Sequence, residues 1–313
     1  MLGTWLNLNK AGVIGLNRRN VAFINELNPR RRMRRGDDKT ITKELAEKAG
    51  IPVPELYGVI SNWYDMGSLR ERLKQPGGLV IKPANGSQGN GILLISRPMA
   101  SGSYQLANGR RTSFEDVQFH VNNIASGMYS LSGQPDKAML EYRVRFDTVF
   151  DAISFKGVPD IRIIVVRGIP VAAMLRLPTA QSDGKANLHK GGVGVGLDLR
   201  SGETQTGMQN GAVVAKPPDT GNSLAGITVP HWDQMLTMAA RAYDVTGLGY
   251  LGADIVLDKE RGPLLLELNA RPGLAIQVAL RSGLGHILDA AMDADSQDKD
   301  AAQRVEMGQA LAA

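Results

Sequence analysis

Three oxygen-bearing side chains fall close together in the pattern of a β-hairpin near the end of the chain. Asp254 belongs to the apolar stretch ADIVLD, Glu267 and Asn269 belong to the stretch PLLLELN, and the short sequence KERG separates the two. Residues two apart on a strand share a face, so Glu267 and Asn269 point the same way. If the turn is centred between Glu260 and Arg261, Asp254 lies directly opposite Glu267.

The two carboxylates of this hairpin need a positive charge near them. Their neighbours are mostly leucine and isoleucine, and a partly desolvated pair of carboxylates is costly without a compensating cation. Two carboxylates and an amide are oxygen ligands of the kind that suits Mg²⁺ or Mn²⁺ bridging nucleotide phosphates. We therefore expect a metal site at Asp254, Glu267 and Asn269, in preference to an edge hairpin with solvated acids. Arg271, just beyond, could clamp a transferring phosphoryl group.

A glycine-rich stretch earlier in the chain is the second candidate site. The sequence GGLVIKPANGSQGNGILLI places Lys82 before the glycines and a strand-like run after them. A P-loop and a dinucleotide-binding turn both need a helix after the glycines, so neither fits. What remains is a loop at residues 86–91, between two antiparallel strands, whose backbone N–H groups fold over phosphates while Lys82 supplies a charge. The alternative is an ordinary glycine-rich hairpin turn.

A third group of polar residues lies among apolar runs between residues 157 and 199. Arg162 alternates with Ile161 and Ile163, so it lies either on a solvent-facing surface or in a cleft. The others are Arg176, Asn187, His189 and Lys190. Binding roles are favoured over catalytic ones, because a lone histidine beside a lysine is more often a hydrogen-bonding group than a base.

The elements that would position these groups mix helices with strands. Besides the hairpin, strands are expected at 79–82, 91–95, 138–142, 161–166 and 170–176. Helices are expected at three places: in DDKTITKELAEKAG, capped by Asp37 or Asp38 with Ile41, Leu45 and Ala49 on one face; in HWDQMLTMAARAYDV, with Trp232, Met235, Leu236, Ala239 and Tyr243 on one side; and near 274–291. Capping-box patterns at Ser68 and Thr112 open two more. Hairpins and helices in this order predict an α+β fold rather than a regular βαβ series.

The composition excludes several classes of protein. The 313 residues include no cysteine, which excludes disulfides, thiolate zinc sites and cysteine nucleophiles. No apolar run approaches the roughly 20 residues that span a bilayer. The N-terminus lacks the apolar core of a signal peptide, so we expect a cytoplasmic protein without a transmembrane segment.

The charge of the chain is unevenly placed. The net charge is +5, and five arginines lie between Arg30 and Arg35. A solvated basic loop is the preferred interpretation, ahead of an attraction to an acidic partner. A nucleic-acid partner is not expected, because aromatic residues are sparse and do not interleave with the arginines.

Taken together, these residues resemble the ATP-grasp fold, and most closely the ribosomal-protein glutamate ligases and the alpha-L-glutamate ligase-like proteins. The resemblance runs from about Arg18 to Gln277 and rests on Lys39, on Lys82 with its glycine loop, and on MLEYR, DIR, NLHKGG and ELNARPG. It implies two α+β subdomains with ATP between them. The implied organisation is a short basic segment at 1–37, an ATP-grasp domain at 38–290 and a polar C-terminal tail at 291–313.

The resemblance also implies a role for each residue. The nucleotide-binding residues would be Lys39, Lys82, Gly86, Ser87, Gln88, Gly89, Asn90, Gly91, Glu141, Tyr142 and His189, with Glu141 and Tyr142 at the adenine edge. Asp254, Glu267 and Asn269 would hold two Mg²⁺ (or Mn²⁺) ions. Arg162, Asn187 and Arg271 would hold the γ-phosphate and the acyl intermediate. Asp147 and Asp151 are candidates for the ribose contact.

The implied reaction is carboxylate–amine ligation, in which ATP activates a carboxylate as an acyl phosphate and an amine displaces the phosphate. Such chemistry needs positioning, charge neutralisation and shielding from water, so no nucleophilic side chain is required. The acyl group would be glutamate or another amino acid, and the acceptor a peptide or a small amine. One alternative is an ATP-grasp kinase acting on a small molecule, and the other is a nucleotide-responsive binding protein without catalysis.

The N-terminal region departs from the usual ATP-grasp ligase, which carries a complete α/β domain before the first lysine. Here about 37 residues precede it. The substrate side is therefore expected to be built by the basic segment Arg18 to Arg35, by a partner protein or by a second subunit. Arg271, where the glutamate ligases more usually have a small residue, is a hint that the substrate carries an extra acidic group.

Overall fold

Two sheets organise the computed structural model, which describes residues 7–86, 89–130 and 133–312. All the strand pairs within them are antiparallel, and each sheet belongs to one of two units. The first unit consists of the chain up to Asp37, Ile41–Val53 and the chain from Arg145 onward, and the second consists of Asp38–Thr40 and Pro54–Val144. Each unit combines its sheet with helices, which confirms the predicted α+β class.

The strands are β1 Leu56–Ile60, β2 Leu79–Pro83, β3 Leu93–Pro98, β4 Tyr104–Leu106, β5 Arg111–Thr112, β6 Ala138–Tyr142, β7 Asp160–Val166, β8 Ile169–Leu177, β9 Val193–Leu197, β10 Thr204–Gln209, β11 Ala212–Val214, β12 Tyr250–Asp258 and β13 Gly262–Asn269. Seven of the strands lie where the apolar runs predicted them, although β3 begins two residues later than expected, and β1, β4, β5, β9, β10 and β11 were not predicted.

The helices are mostly short. They are α1 Leu16–Arg18, α2 Arg34–Asp37, α3 Lys39–Lys48, α4 Trp63–Met66, α5 Leu69–Arg72, α6 Phe114–Ala125, α7 Trp232–Thr246, α8 Ala275–Leu280, α9 Gly285–Asp293 and α10 Ala301–Leu311. A π-helix covers Arg19–Asn25, and 3-10 turns cover Arg30–Arg32, Thr148–Phe150 and Leu188–Lys190. Over the described ranges, none of these helices has the length and apolar character needed to cross a bilayer.

The sheet of the second unit has six strands in the order β1–β6–β2–β3–β4–β5. Alternation along β2 buries Leu79 and Ile81 on one face, as period-2 patterning requires. Helix α6 adds Val117, Val121 and Ile124 to the same core, at the four- and three-residue spacing that places side chains on one side of a helix. The opposite face of β2 carries Val80 and Lys82.

The sheet of the first unit has seven strands in the order β11–β10–β9–β8–β7–β12–β13. Helix α7 packs on β7, β8, β12 and β13 and buries Trp232, Met235, Leu236 and Ala239, while Tyr243 is half-buried. This confirms the predicted apolar side of that helix. The chain before Asp37 packs within this unit.

Of three predictions about helix starts, one was right, one was wrong and one was displaced by a residue. Asp38 caps α3, since its Oδ1 accepts hydrogen bonds from the backbone N (2.9 Å) and Oγ1 (2.5 Å) of Thr40. Ser68 precedes α5 but makes no side-chain cap, so that capping box was wrong. The second box begins one residue later than predicted, at Ser113, whose hydroxyl and Asp116 cap each other's backbone. The buried face of α3 is also rotated by about one residue, to Thr42, Lys43 and Ala46, leaving Ile41, Leu45 and Ala49 half-buried.

The C-terminal part differs more from expectation. The single helix predicted near 274–291 is divided into α8 and α9, because the backbone of residues 11–13 passes over Gly283. A Cβ at Gly283 would lie 2.1 Å from the carbonyl carbon of Gly12, so a close approach there requires glycine. Arg281 ends α8 with a positive φ of 54°. The polar stretch expected as a tail contains helix α10, with a capping box between Asp300 and Gln303.

Candidate functional site

The hairpin of β12 and β13 places Asp254 directly opposite Glu267, as the sequence predicted. The pairing arises in a different way from the one assumed. The residues nearest the turn pair as Asp258 with Gly262, so the turn is centred on Glu260 itself. A β-bulge beyond Ile255 then shifts the register by one residue and brings the two acids together. Bulges of this kind re-aim side chains and are common beside functional sites.

Two arginines hold the carboxylate of Asp254, which is fully buried. Arg162 of β7 donates from Nε to Oδ1 at 2.7 Å and from Nη2 to Oδ2 at 2.6 Å, a two-pronged contact. Arg176 of β8 donates from Nη2 to Oδ2 at 2.8 Å, and Asn269 donates from Nδ2 to the same oxygen at 3.1 Å. Burial opposes ionisation, but the two guanidinium groups hold the pKa of Asp254 below its ordinary value. Asp254 is therefore ionised and locked in place.

A third carboxylate, Asp160 of β7, completes the cluster. It lies opposite Arg176 in the β7–β8 pairing and accepts a hydrogen bond from the Nε of Arg176. Burial raises the pKa of Asp160 to about 7; Arg176 opposes the rise and the negative charge of Asp254 adds to it. We refer to Asp160, Arg162, Arg176, Asp254 and Glu267 as the charge cluster; it spans four adjacent strands of the first sheet.

The charge cluster brings three carboxylates and two guanidinium groups together. The oxygen donors of Glu267 and Asn269 beside Asp254 are of the type that Mg²⁺ accepts. No three histidine or acidic side chains within the described ranges are arranged to hold a metal ion, so the amide of Asn269 would be needed. The residues present fit such an ion in donor type and charge.

The other residues predicted at this site form their hydrogen bonds with residues outside the charge cluster. Arg271 is half-exposed and donates from Nη1 to the Oδ2 of Asp37 at 2.7 Å. Asn187 caps the 3-10 turn of Leu188–Lys190, its Oδ1 accepting from the backbone N of His189 at 2.9 Å. His189 itself is exposed. Arg162 thus contacts the proposed metal ligand Asp254, whereas Asn187 bonds to His189 and Arg271 bonds to Asp37.

In the second unit, Lys82 and Glu141 form a buried ion pair on adjacent strands. Lys82 of β2 and Glu141 of β6 are separated by 2.5 Å between Nζ and Oε1, and each side chain is less than a tenth exposed. Both belong to the set predicted to bind nucleotide. Tyr142, next along β6, is also buried.

The glycine loop follows β2 and returns to β3, which pairs with it antiparallel as predicted. Its first end is fixed by Asn85, whose backbone N and Nδ2 donate to the buried carboxylate of Asp136 at 3.0 and 2.7 Å. Next to it, Lys39 donates from Nζ to the carbonyl of Gly86 at 2.8 Å. Lys39 and the glycine loop are therefore neighbours, as nucleotide-binding residues would be. Ser87 and Gln88 lie outside the described residues.

The second end of the glycine loop is fixed by two side chains, one in helix α6 and one a few residues after it. The Nε2 of His120 donates to the carbonyl of Gly91 at 2.9 Å, and a Cβ on Gly91 would lie 2.6 Å from the ring of Tyr129. Gly89 and Gly91 have φ of +70° and +74°, a region that favours glycine. The sequence singled out Lys39 at the first end of the loop but not Asp136 or His120.

The ribose candidates lie beside one small cavity of the first unit. Asp147, Asp151 and Lys156 are among the residues that line it, and its volume is about 230 Å³. Asp147 accepts from the backbone N of Val149 at 2.9 Å and so begins a 3-10 turn.

Sequence reasoning missed four residues that the structure ties to these sites: Asp160, Arg176, Asp136 and His120. Arg176 had been noted only as one of several basic residues between strands. Its opposition to Asp160 follows from the β7–β8 hairpin, so the charge alternation on those strands was a usable signal. Asp136 and His120 carry no such signal, because both act through contacts distant in sequence.

Comparisons with known proteins show what the chain as a whole is similar to. Residues 18–292 match a family model described as sugar-transfer associated ATP-grasp. The chain is 26% identical over 253 residues to a probable alpha-L-glutamate ligase of Parasynechococcus marenigrum, covering 80% of this chain and 39% of that protein. It is 29% identical over 242 residues to a ribosomal protein bS6–L-glutamate ligase of Salmonella paratyphi B, covering 77% and 57%. The chain thus spans less than two thirds of the length of these relatives.

Solved structures with a similar fold were also found. D-cycloserine synthetase DcsG superimposes with a TM-score of 0.49 at 16% identity, over 89% of this chain and 73% of that one. The ATP-grasp ligase PsnB, complexed with a minimal precursor, superimposes with a TM-score of 0.45 at 16% identity, over 85% and 63%.

Proposed function

The chain belongs to the sugar-transfer associated ATP-grasp family, and on that premise we propose that it is an ATP- and Mg²⁺-dependent ligase. The reaction joins a carboxylate to an amine through an acyl phosphate and releases ADP and phosphate. The observation that carries the proposal is the charge cluster. It fixes two arginines beside carboxylate and amide oxygens that suit a divalent cation.

The arginines of the charge cluster are prepared to bind an anion. Arg162 uses Nε and Nη2 on Asp254, and Arg176 uses Nε on Asp160 and Nη2 on Asp254. In each guanidinium group, Nη1 is the nitrogen that makes no hydrogen bond to another residue of the described ranges. Because their geometry is fixed by buried carboxylates, little reorganisation is needed when an anion arrives. We assign to these two Nη1 groups the binding of the transferring phosphoryl group and the acyl phosphate.

The metal would be held by Glu267 and Asn269 together with Asp254. When bound, Mg²⁺ neutralises negative charge on the phosphate oxygens. Glu267 supplies a carboxylate and Asn269 an amide oxygen, while Asp254 keeps both residues and the arginines in register. We propose that two Mg²⁺ ions bind, the number that the family resemblance implies.

In the second unit, Lys82, Lys39 and the backbone of the glycine loop would bind the nucleotide. Lys82 is buried beside Glu141, and Lys39 contacts the loop at Gly86. Ammonium groups and backbone N–H groups are the donors that phosphates favour. Glu141 and Tyr142 would contact the adenine, as the family resemblance implies.

The substrates are proposed from the relatives. The curated relatives are named as glutamate ligases, so glutamate or another amino acid is the first acyl donor to test. The acceptor would be an amine on a peptide or a small molecule. The family description associates its members with sugar transfer, which adds amino sugars to the acceptors worth testing.

Replacing Glu267 by Gln tests the proposal. We expect Glu267→Gln to abolish ADP formation while nucleotide binding stays measurable, because the substitution removes charge at the metal but leaves Lys82 and the glycine loop intact. The matched control is Glu260→Gln, at the exposed turn of the same hairpin. Turnover would be measured as released phosphate, with each amino acid tested alone and paired with peptides or amino sugars. Mass spectrometry would identify the product.

The same assay separates the competing functions. An amide product with free phosphate identifies a ligase, whereas a stable phosphorylated product identifies a kinase. ATP binding without turnover for any pair identifies a binding protein. Wild-type rates in Glu267→Gln would refute the assignment of the metal site.

A further inference from the structure

The arginine-rich stretch Arg30–Asp37 is a folded element with two distinct sides. Arg30–Arg32 forms a 3-10 turn, Met33 has helical φ and ψ of −54° and −37°, and α2 continues to Asp37. The outward side consists of Arg30, Arg31, Arg34 and Asp37, all exposed, and the inward side of Arg32, Met33, Arg35 and Gly36, all buried or half-buried. This alternation is that of a helix lying on a surface, not of an irregular solvated loop.

The inward arginines serve the fold. Arg32 donates from Nη1 to the carbonyl of Gly247 at 3.2 Å, and Arg35 donates from Nη1 to the carbonyl of Thr246 at 3.1 Å. Both carbonyls lie at the C-terminal end of α7, where backbone acceptors lack helical partners and positive charge is favourable. These two contacts explain Arg32 and Arg35 completely and fix the orientation of the stretch.

The outward arginines have no such explanation. The side chains of Arg30, Arg31 and Arg34 form no hydrogen bond or ion pair with any residue in the described part of the chain. Arg34 follows Arg31 by three residues and Arg30 by four, spacings at which helical side chains are neighbours and like charges repel each other. The segment from Arg18 to Asp37 contains seven arginines and two acids, so its net charge equals the +5 of the whole chain. A concentration of positive charge without internal partners is suited to an anionic ligand.

The position of the stretch links it to the proposed metal site. Gly36 packs on Ala270, since a Cβ there would lie 3.2 Å from the backbone N of Ala270. Asp37 holds Arg271, which is half-exposed and lies two residues after Asn269. The stretch therefore contacts the residues that directly follow β13, the strand that carries Glu267 and Asn269.

We propose that Arg30, Arg31, Arg34 and Arg271, here called the arginine face, bind an acceptor substrate that carries several carboxylate or phosphate groups. Only one part of this proposal rests on the proposed ligase function, namely that the bound molecule is the acceptor of the reaction. Guanidinium groups bind both kinds of oxyanion in a two-pronged way, and several of them on one rigid face favour repeated anionic groups over a single one. The arginine face selects the acceptor by charge and holds it beside the end of β13.

Membranes and nucleic acids fit this surface less well. Met33 is the only large apolar residue between Arg30 and Asp37, and it is 8% exposed, so the face offers nothing to insert into lipid. The same stretch has no aromatic residue on which a base could stack.

The experiment measures binding without ATP, so its result does not depend on turnover. A fluorescent oligo-glutamate peptide and inorganic polyphosphate of similar length would be titrated with the full chain, by anisotropy and by competition, at low and physiological ionic strength. We expect Arg30→Gln, Arg31→Gln and Arg34→Gln together to weaken binding about tenfold and to reduce its salt dependence. The matched control removes the same charge elsewhere, through Arg110→Gln, Arg111→Gln and Lys216→Gln, and keeps wild-type affinity. Thermal unfolding checks that both triple variants are folded.

The outcomes discriminate between the possible partners. Loss of binding in the arginine-face variant alone supports the proposal, and a preference for oligo-glutamate or for polyphosphate identifies the anionic group. Equal loss in both triple variants would show a general effect of net charge and overturn it. Tighter binding to vesicles containing phosphatidylserine or to single-stranded RNA, lost in the same variant, would overturn it in favour of those partners. Absence of ADP formation would refute the ligase function and leave this measurement valid.

Discussion

The two sheets bury charged groups in opposite ways. In the first sheet, Asp254 is shared by Arg162 and Arg176, and Asp160 and Glu267 bring the carboxylates to three against two arginines. In the second sheet, Lys82 forms a buried ion pair with Glu141. A balanced pair can be replaced as a unit, whereas a group shared by several partners cannot be removed without leaving charge behind. We therefore expect the second arrangement to tolerate replacement better than the first.

The largest expected effect comes from breaking the shared arrangement at its centre. Asp254→Asn removes the carboxylate that compensates two largely buried guanidinium groups, so we expect the free energy of unfolding to fall by about 3–5 kcal/mol. Urea denaturation measures it. The matched control is Asp289→Asn, which removes a half-exposed carboxylate paired with Arg18 and should change the free energy by about 0.5 kcal/mol or less. A loss no larger than that of the control would show that Asp254 does not organise the cluster.

The balanced pair provides the contrasting prediction. Lys82→Met leaves Glu141 buried beside an apolar side chain, and we expect a loss of about 3 kcal/mol. Combining it with Glu141→Leu should recover most of that loss, because an apolar pair of similar volume can replace a buried ion pair. The matching double variant in the first sheet, Asp254→Asn with Arg162→Met, should recover much less because Arg176 remains. Similar recovery in both sheets would remove the distinction between them.

Lys82→Met also tests the nucleotide site. Calorimetric titration should show a higher Kd for ATP in Lys82→Met than in the wild type, because an ammonium group that would face phosphate is lost. The double variant that restores stability should not restore affinity. An unchanged Kd would contradict the role of Lys82 in nucleotide binding.

The contrast also marks what the sequence could and could not predict. The Asp254–Glu267 pairing was predictable because it depends on one local hairpin, even though a bulge rather than the turn centre produces it. The Arg162–Asp254 contact was not, because it requires β7 to lie beside β12, about 90 residues later. The break at Gly283 likewise depends on residues 11–13. Patterning specifies elements and their faces, while the order of strands in a sheet follows from packing that no local pattern records.

The N-terminal stretch shows the same limit in a different form. The five arginines between Arg30 and Arg35 look alike in the sequence, and a solvated basic loop was the simplest interpretation. The structure separates them by what they touch: Arg32 and Arg35 bind the end of α7, and the remaining three face outward. The partner of the inward pair lies more than 200 residues away, so its identity could not be read from the stretch itself.

The smallest expected effect concerns the glycine loop of the second unit. Its exit depends on a single hydrogen bond to a backbone carbonyl rather than on an ion pair. His120 fixes the exit of the loop at Gly91, and Asp136 fixes its entrance through Asn85. His120→Phe keeps an aromatic ring near Tyr129 but removes the donor to Gly91, so the loop loses this side-chain attachment at its exit. We expect the Kd for ATP to rise about fivefold, the value of one hydrogen bond of roughly 1 kcal/mol, with little change in the free energy of unfolding.

His120→Gln makes this prediction specific to the hydrogen bond. Its amide can still donate to the carbonyl of Gly91, so ATP affinity should return toward the wild-type value although the ring is lost. If the ring contact with Tyr129 were what mattered, the order would reverse, and His120→Phe would bind ATP better than His120→Gln. If neither variant changed the Kd, the exit of the loop would not need His120, and the entrance contact with Asp136 would be sufficient to position Gly86 beside Lys39.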